Sequence, residues 1–187
     1  PHLYHSSKPL KTISDFKGMK IRAGGIGVKI LKKLGAAPVF MAPPATTEAM
    51  HRGTIDASQF PWEGLLAFRL AKVSGHHLVI PHGLYSSAFW VTMNKKTWDG
   101  LTAVQKKAME TAGGLAGSRF IGSRWDAVEK IGRKAAEKNG NKINTLSAAD
   151  TATFKKMIAF IEQDWLKKVA KSGADGKALL ADLRTTV

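Results

Sequence analysis

Residues 14–27 read SDFKGMKIRAGGIG, and this stretch decides the fold class of the chain. Apolar and basic side chains alternate over residues 19–23, which is the period of a β-strand. The glycine-rich segment 24–27 interrupts that pattern. Residues 28–34 then carry apolar side chains at the spacing of one helical face. The stretch therefore predicts a strand, a tight turn and a helix in direct succession.

The same alternation continues through the first half of the chain. Further strands are predicted at 37–41, 54–59, 78–80 and 87–93, and helices at 43–50 and 62–72. Strands that alternate with helices at this spacing indicate βαβ units around a mostly parallel sheet, so the predicted fold class is α/β.

The second half of the chain is predicted to be helical. Thr102 and Gln105 form a capping box, and an apolar helical pattern then runs without a stop signal as far as residues 139–140. Four glycines lie within this pattern between residues 113 and 122. Each costs about 1 kcal/mol relative to alanine in a helix. We therefore expect a long helix that bends or packs closely at the glycines.

Shorter elements follow the long helix. Residues 142–146 predict a strand, and Ser147 is placed to cap a helix with apolar residues from Phe154 to Val169. A last helix carries Leu179, Leu180 and Leu183. The chain has no internal repeat and no low-complexity tract, and its length suits one medium domain or the larger part of a two-lobed protein.

The composition narrows the classes of protein that the chain can be. Hydrophobic residues make up 44% of its 187 residues, which is enough to build a core. No apolar run approaches the roughly 20 residues of a membrane-spanning helix. The absence of cysteine excludes disulfides, thiolate zinc sites and a cysteine nucleophile, and it is compatible with either redox compartment.

The net charge of +15 raises the alternative of a basic α/β domain that binds nucleic acid or another polyanion. The basic residues, however, occur as scattered lysine pairs between helical apolar positions, which is typical of a solvated helix face. No basic stripe with interleaved aromatics is visible. We therefore favour solvated faces and expect no nucleic-acid partner.

Arg22 is the strongest candidate for a binding residue. It ends a predicted strand immediately before the turn that contains Gly25 and opens a helix. A guanidinium can hold a carboxylate through two parallel hydrogen bonds, and turn amides at a helix N-terminus favour negative charge. An exposed arginine on a solvated strand face explains the residue equally well at this level, so both interpretations stay open.

Two further segments could line a pocket. Gln59, Phe60 and Trp62 follow a predicted strand, and aromatic side chains beside a polar group are common in small-molecule sites. Ordinary core packing is the favoured interpretation of these aromatics. Hydroxyl groups at Tyr85 and Ser87 stand at another strand entrance, where a plain turn is an equally good interpretation.

The patterns that would indicate an enzyme, a metal site or a nucleotide site are missing. The glycine-rich turn lacks the third glycine of a dinucleotide fingerprint and the lysine of a phosphate-binding loop. No nucleophile elbow and no carboxylate pair is evident. His76, His77 and His82 are expected to be solvent-exposed, since adjacent strand residues point to opposite faces and no acidic residue lies nearby. We expect no catalysis, no cofactor and no metal.

Four stretches in order resemble signature segments of the solute-binding proteins of TRAP (tripartite ATP-independent periplasmic) transporters, of the dicarboxylate-receptor type. They are SDFKGMKIR at 14–22, LGAAPV at 34–39, EAMHRGTIDA at 48–57 and MNKKTWDGL at 93–101. Each is weak alone, but their order and spacing are specific. The resemblance covers most of the chain.

The resemblance implies a lobe of the type II periplasmic binding-protein kind, with a long bridging helix and C-terminal helices, and no enzymatic activity. It implies a periplasmic receptor that captures a small organic acid and delivers it to a membrane permease. In the family the arginine at the position of Arg22 pairs with the ligand carboxylate. Phe60 would provide an apolar contact, and the neutral Gln59 stands where metal-using members have glutamate. Tyr85 to Ser87 would border the ligand.

The resemblance also implies a division of the chain. Residues 1–86 correspond to the first part of the second ligand-binding lobe, and 87–125 to a strand and long helix that normally serve the first lobe. Residues 126–187 correspond to the C-terminal helical part of the second lobe. Family members have a longer segment before the first signature, so a truncated chain is expected. Surfaces that truncation exposes would favour a domain-swapped or self-associated oligomer.

An apolar or aromatic monocarboxylate is the expected ligand, and a sulfonate could use the same arginine.

Overall fold

The structure is a computed structural model that describes residues 1–186. Its core is a six-stranded mixed sheet with the strand order β3-β2-β4-β1-β5-β6. The strands are β1 (Leu3–Ser6), β2 (Lys20–Arg22), β3 (Ala37–Val39), β4 (Ala57–Phe60), β5 (His76–Val79) and β6 (Lys142–Thr145). The α-helices are α1 (Ile26–Lys33), α2 (Thr46–His51), α3 (Glu63–Ala67), α4 (Lys95–Asp99), α5 (Ala103–Ala112), α6 (Gly114–Lys138), α7 (Ala148–Ile158), α8 (Phe160–Ala170) and α9 (Gly176–Thr186).

Five strands of this sheet run in one direction, which confirms the predicted α/β class with a mostly parallel sheet. β2 is parallel to β3 and to β4, and β5 is parallel to β6. β1 is the exception, because it lies antiparallel between β4 and β5. Sequence reasoning missed β1. All four of its residues are buried, so the strand has no alternation of apolar and polar side chains to reveal it.

Both faces of the sheet are covered, and neighbouring strand residues therefore enter different cores. Tyr4 belongs to one cluster with Phe16, Ile21, Leu31 and Phe154. Leu3 belongs to another with Phe60, Trp62, Leu65, Leu70 and Ala136. Helices α1 and α7 contact each other beside the first cluster, whereas α3 packs on α6 beside the second. This alternation sends Gln59 and Phe60 to opposite sides of the sheet.

The predicted bend in the long helix is confirmed. Gly113 ends α5, and Gly114 begins α6 with a φ of +55°, a left-handed conformation that favours glycine. The capping box of Thr102 and Gln105 is present at the start of α5. Ser147 accepts a hydrogen bond from the Asp150 amide at the start of α7, as its position in the sequence predicts.

The strand predicted at 87–93 is wrong. These residues pair with no strand in the described part of the chain, and Phe89, Trp90 and Val91 are 66%, 85% and 88% exposed. The apolar run has the composition of a strand, but a strand also needs a partner edge, and none lies beside it in the described residues. Helix α3 is also shorter than predicted, since it ends at Ala67 before Arg69 adopts a φ of +54°.

Among residues 1–186, no helix has both the length and the apolar character that a bilayer span requires. The lysine pairs lie on solvated faces as predicted. Lys32, Lys33, Lys95 and Lys96 are exposed, and so are the pairs at 155–156 and 167–168.

Candidate functional site

Arg22 lies at the end of β2, at the edge of the sheet where the carboxyl ends of the parallel strands β2 and β4 meet. This edge is where ligands bind in open α/β sheets. The side chain is only 8% exposed, so it is not the surface arginine that the sequence left open as an alternative. Its Nε donates to the Met41 carbonyl oxygen at 3.2 Å and its Nη1 to the Gln59 carbonyl oxygen at 3.4 Å.

Phe60 supports the guanidinium from one side. The Arg22 Cζ lies 4.3 Å from the centroid of the Phe60 ring, within the range of a cation–π contact. The parallel register sets Arg22 beside Ser58, and Phe60 is two residues further on the same face of β4. The Phe60 ring also packs against Phe68 at 4.9 Å, so the support is itself held in place.

The charge of Arg22 is poorly compensated by the protein. Burial lowers the pKa of Arg22, because desolvation disfavours the charged form. Across the part of the chain that the structure describes, no carboxylate forms an ion pair with Arg22, and its Nη2 takes part in no hydrogen bond. A buried cation without a partner is unfavourable. The arrangement therefore favours the binding of an anion that can accept hydrogen bonds from the remaining N–H groups of Arg22.

The turn after β2 depends on glycine at two positions. Gly25 has a φ of +53° and forms the N-cap of α1, a conformation that other residues adopt only with strain. Gly27 is required by close packing, since a Cβ at that position would lie far inside van der Waals contact of the Gln59 side-chain amide. The glycine-rich turn thus lets α1 approach the buried end of β4.

Gln59 is buried and engaged by two tyrosines. The Tyr85 hydroxyl donates to Gln59 Oε1 at 3.2 Å, and Gln59 Nε2 donates to the Tyr4 hydroxyl at 3.4 Å. Burial raises the pKa of both tyrosines, although the charge of Arg22 partly opposes this at Tyr85. Both hydroxyls therefore stay protonated, and the network around Gln59 is neutral.

His2 extends this edge, and sequence reasoning missed it. Its ring stacks on Tyr85 with centroids 4.3 Å apart, and its Nε2 lies 3.0 Å from the Ser87 hydroxyl. Burial, the N-terminal charge and the charge of Arg22 lower the pKa of His2 to about 4, so the ring is neutral at pH 7. A single histidine near the start of the sequence gives no signal of this placement, which only the fold creates.

Trp62 is placed apart from Arg22. Its ring packs edge-on against His5 at 5.6 Å and against His77 at 5.1 Å, in the second core cluster. This is the core packing that the sequence favoured for the aromatics. A contact between Trp62 and a ligand stays a prediction. The structure thus places the Phe60 ring and the Gln59 carbonyl oxygen against Arg22. The Gln59 side chain lies on the other face of the sheet with Tyr85, and Ser87 is linked to Tyr85 through His2.

The expectation for the histidines is wrong at His77. The residue is fully buried, because β5 pairs with the central strand β1 and sets His77 directly opposite His5. His76 is half-buried and His82 is exposed. No group of three or more histidine, aspartate or glutamate side chains within residues 1–186 is arranged to hold a metal ion.

A larger cleft of about 1070 Å³ lies between α1, α8, α9 and residues 84–86. Its lining is mostly apolar and includes Ile30, Tyr85, Trp165 and Leu183. Arg22 is not part of that lining. Because Arg22 supplies a buried and uncompensated cation, we place the candidate site at the sheet edge and not in the larger cleft.

Comparison with known proteins identifies the family of the chain. The family described as bacterial extracellular solute-binding protein, family 7, matches residues 2–168. A TRAP solute-binding protein from a marine metagenome, specific for aromatic acid ligands and solved with metahydroxyphenylacetate, is 33% identical. It superposes with a TM-score of 0.88 and covers 97% of this chain and 58% of that chain. A TRAP periplasmic solute-binding protein from Bordetella bronchiseptica with bound (R)- and (S)-mandelate is 30% identical, with a TM-score of 0.91, and covers 98% of this chain and 59% of that chain.

A curated relative is more distant. The C4-dicarboxylate-binding periplasmic protein DctP of Rhodobacter capsulatus is 25% identical over 180 residues, which are 95% of this chain and 54% of that protein. The chain therefore spans about half the length of the relatives it matches. The expected periplasmic location is confirmed by the family and its periplasmic relatives. Because the family match extends over residues 2–168, the chain belongs to the family 7 bacterial extracellular solute-binding proteins, the solute receptors of TRAP transporters.

Proposed function

We propose that this chain captures a small organic acid through Arg22, and that the whole protein delivers the acid to a TRAP membrane permease. One observation carries the proposal: Arg22 is buried at the carboxyl edge of the sheet, rests on Phe60 and has no carboxylate partner in the described residues. A bound carboxylate would supply the missing negative charge and accept two parallel N–H donors.

The ligand is proposed to be an aromatic or apolar monocarboxylate. Phe60 presents a ring directly beside the guanidinium, and Tyr85 adds a second aromatic surface nearby. The two solved relatives described above hold metahydroxyphenylacetate and mandelate. Arg22 is the one buried arginine among the described residues, which suits a ligand that presents one carboxylate to this part of the site.

Binding without reaction and without a metal is the proposed mode. The groups beside Arg22 are the carbonyl oxygens of Met41 and Gln59 and the neutral hydroxyl of Tyr85, none of which is a nucleophile or a strong base. Gln59 offers a neutral amide whose oxygen already accepts from Tyr85, so it is a poor metal ligand. The acid would leave the site chemically unchanged.

The test is calorimetric titration with benzoate as the probe, on this chain and on the full-length gene product. Arg22→Ala is expected to weaken binding by about 100-fold or more, because it removes a buried charge-assisted pair. Arg22→Lys is expected to lose about 10-fold, since an ammonium keeps the charge without the fork of donors. Arg52→Ala is the matched control, because Arg52 is exposed and pairs with Glu48 on the surface. Equal affinity in the wild type and Arg22→Ala would contradict the proposal.

The same two proteins, tested also with DNA, distinguish acid capture from the alternative that the basic surface binds a polyanion. If neither protein bound any acid and both were stabilised by DNA with a steep loss on adding salt, the basic surface would be the functional feature. If only the full-length product bound benzoate, the receptor role would stand and this chain would lack part of the site.

A further inference from the structure

A buried pair of histidines joins the middle of the sheet to the candidate site. His5 on β1 and His77 on β5 face each other in the antiparallel register, and their Nδ1 atoms lie 2.8 Å apart. Both rings are fully buried, and Trp62 packs edge-on against both. On the other side of its ring, His5 Nε2 lies 3.2 Å from the Phe60 carbonyl oxygen.

The hydrogen bonds of this pair fix where each proton sits. Asn141 Nδ2 lies 2.6 Å from the Ser74 carbonyl oxygen, which identifies it as the amide nitrogen, and it donates its other proton to His77 Nε2 at 2.9 Å. His77 must then carry its proton on Nδ1 and donate it to His5 Nδ1. His5 in turn carries its proton on Nε2 and donates it to Phe60. The chain of bonds is complete only when both rings are neutral.

Burial opposes a third proton on the pair, and the neighbouring histidines add to this effect. His76 on the same strand lowers the pKa of His77, and His77 and His2 lower that of His5. On the Trp62 side, Arg133 lies over the indole at 5.9 Å. Glu129 accepts from the Trp62 and Glu63 amides, so its carboxylate is already engaged, and Glu63 stands beside it. Within the described residues no carboxylate makes an ion pair with either ring.

The pair is connected to the residues around Arg22. His5 Nε2 donates to the carbonyl oxygen of Phe60, and the Phe60 ring supports Arg22. The carbonyl oxygen of Gln59, the residue before Phe60, accepts a hydrogen bond from Arg22. We propose that His5 and His77 form a proton-sensitive clasp, which holds the Arg22–Phe60 anchor while both rings are neutral and loosens it when either ring is protonated. The release of a bound acid by this route rests on the function proposed above.

Acid is the condition under which the clasp should open. Burial, followed by the neighbouring histidine, lowers the pKa of His5 from 6.5 to about 3 and that of His77 to about 4. The folded state therefore binds fewer protons than the opened state, and stability falls as the pH drops from 6.5 toward those values. Each ring should raise the opening equilibrium constant by about 25-fold between pH 7 and pH 5.

The direct test is a long-range ¹H–¹⁵N spectrum of the ¹⁵N-labelled wild-type protein, which needs no variant to fold. At pH 6, we expect His77 to be protonated only on Nδ1 and His5 only on Nε2. Neither ring should titrate while the clasp stays closed. A doubly protonated ring at pH 6 in the folded protein, or the opposite tautomer in either ring, would overturn the clasp.

A second test compares acid sensitivity in variants without using a ligand. Between pH 7 and pH 5, the unfolding equilibrium constant of the wild type should rise about 25-fold more than that of His5→Asn, which lacks one titrating ring. His51→Asn is the matched control, because His51 is exposed at the end of α2, and it should follow the wild type. Equal pH dependence in all three proteins would argue against the clasp.

Benzoate titration then connects the clasp to the site. If benzoate binds at pH 7, its affinity in the wild type should fall toward pH 4 more steeply than in His5→Asn, and a parallel fall would refute the connection. If benzoate fails to bind both this chain and the full-length gene product at pH 7, the proposed function fails, and the ring tautomers and the unfolding data still decide whether the clasp exists.

Discussion

Arg22 is held in advance of any ligand. Two backbone carbonyls accept from its Nε and Nη1, and the Phe60 ring lies beneath it, so the side chain is already ordered at the sheet edge. Ordering a long side chain on binding costs about 0.5–1.5 kcal/mol, a cost that this arrangement largely removes. The residue is therefore suited to bind an anion without rearrangement.

The Phe60 ring should contribute measurably to the affinity. Phe60→Leu keeps an apolar side chain but removes the ring face beneath the guanidinium. We expect benzoate to bind about 3- to 30-fold more weakly, which corresponds to about 0.5–2 kcal/mol for a cation–π contact at a site removed from water. Titration calorimetry measures the change. Phe40→Leu is a suitable control, since Phe40 is 80% exposed, and an equal loss in both variants would show that the ring beneath Arg22 has no special role.

At this scale the sequence could identify Arg22 but could not decide its environment. A strand-ending arginine before a glycine turn is compatible with a solvated face or with a site, and only the fold shows the burial. The links among Gln59, Tyr4 and Tyr85 were equally hidden, because they join residues that are distant in the sequence. His77 was predicted on the surface for the same reason, since its burial depends on pairing with the unpredicted strand β1.

Among the elements, α6 is positioned by a close approach to the chain before α3. Gly132 lies against the Trp62 carbonyl group, and Glu129, one turn earlier, accepts from the amides of Trp62 and Glu63. Glu129 thereby satisfies donors at the start of α3, which has no side-chain cap of its own. The long helix and the segment after β4 are thus locked together at one point.

A methyl group at Gly132 should break this contact. A Cβ there would lie 2.6 Å from the Trp62 carbonyl carbon, and backbone cannot move aside as a flexible side chain can. We expect Gly132→Ala to lower the free energy of unfolding by about 2–3 kcal/mol through overpacking. Urea unfolding measures it.

Gly122→Ala in the same helix provides the control, because nothing lies within 4 Å of the added Cβ. It should raise the free energy of unfolding by about 0.5–1 kcal/mol, since alanine is the better helix former. If Gly132→Ala were also stabilising, the close approach of α6 to residue 62 would be contradicted.

Elements were predictable where their signal is local. The strand, turn and helix around residues 14–34, the capping box of Thr102 and Gln105 and the helix break at Gly113 all follow from short patterns. Elements that depend on a partner were not predictable. Residues 87–93 have the composition of a strand but pair with no strand in the described chain. β1 lacks the alternating pattern of a strand, and it forms because β4 and β5 pair with it on both sides.

For the whole molecule, several large apolar side chains are exposed. They include Phe89, Trp90 and Val91, and also Leu115, Phe120 and Ile131 on α6. Phe89 stacks on Trp125 of α6 with ring centroids 4.6 Å apart. Apolar patches of this kind mark surfaces that associate. The division of the chain at residues 86 and 125 and the self-association expected from the sequence both stay predictions.

Self-association of the 187-residue chain can be measured by light scattering over a range of concentrations. We expect the average mass to rise with concentration, and Phe120→Glu to reduce that rise by replacing an exposed apolar ring with a charge. Ser123→Glu adds the same charge to an exposed position on the same helix and should have a smaller effect. A monomer at every concentration would rule out the association.

The central position of β1 has a consequence for the order of folding. Its residues precede their partners in the sequence, since Leu3 pairs with Phe60 and Tyr4 with Leu78. During synthesis at about 5–20 residues per second, the strand must wait roughly 3–10 seconds for β4 to emerge. Its four core residues stay unpaired during that time, and the high contact order slows closure further. We therefore expect chaperones that bind extended apolar segments to bind β1, which the folded protein buries in the middle of the sheet.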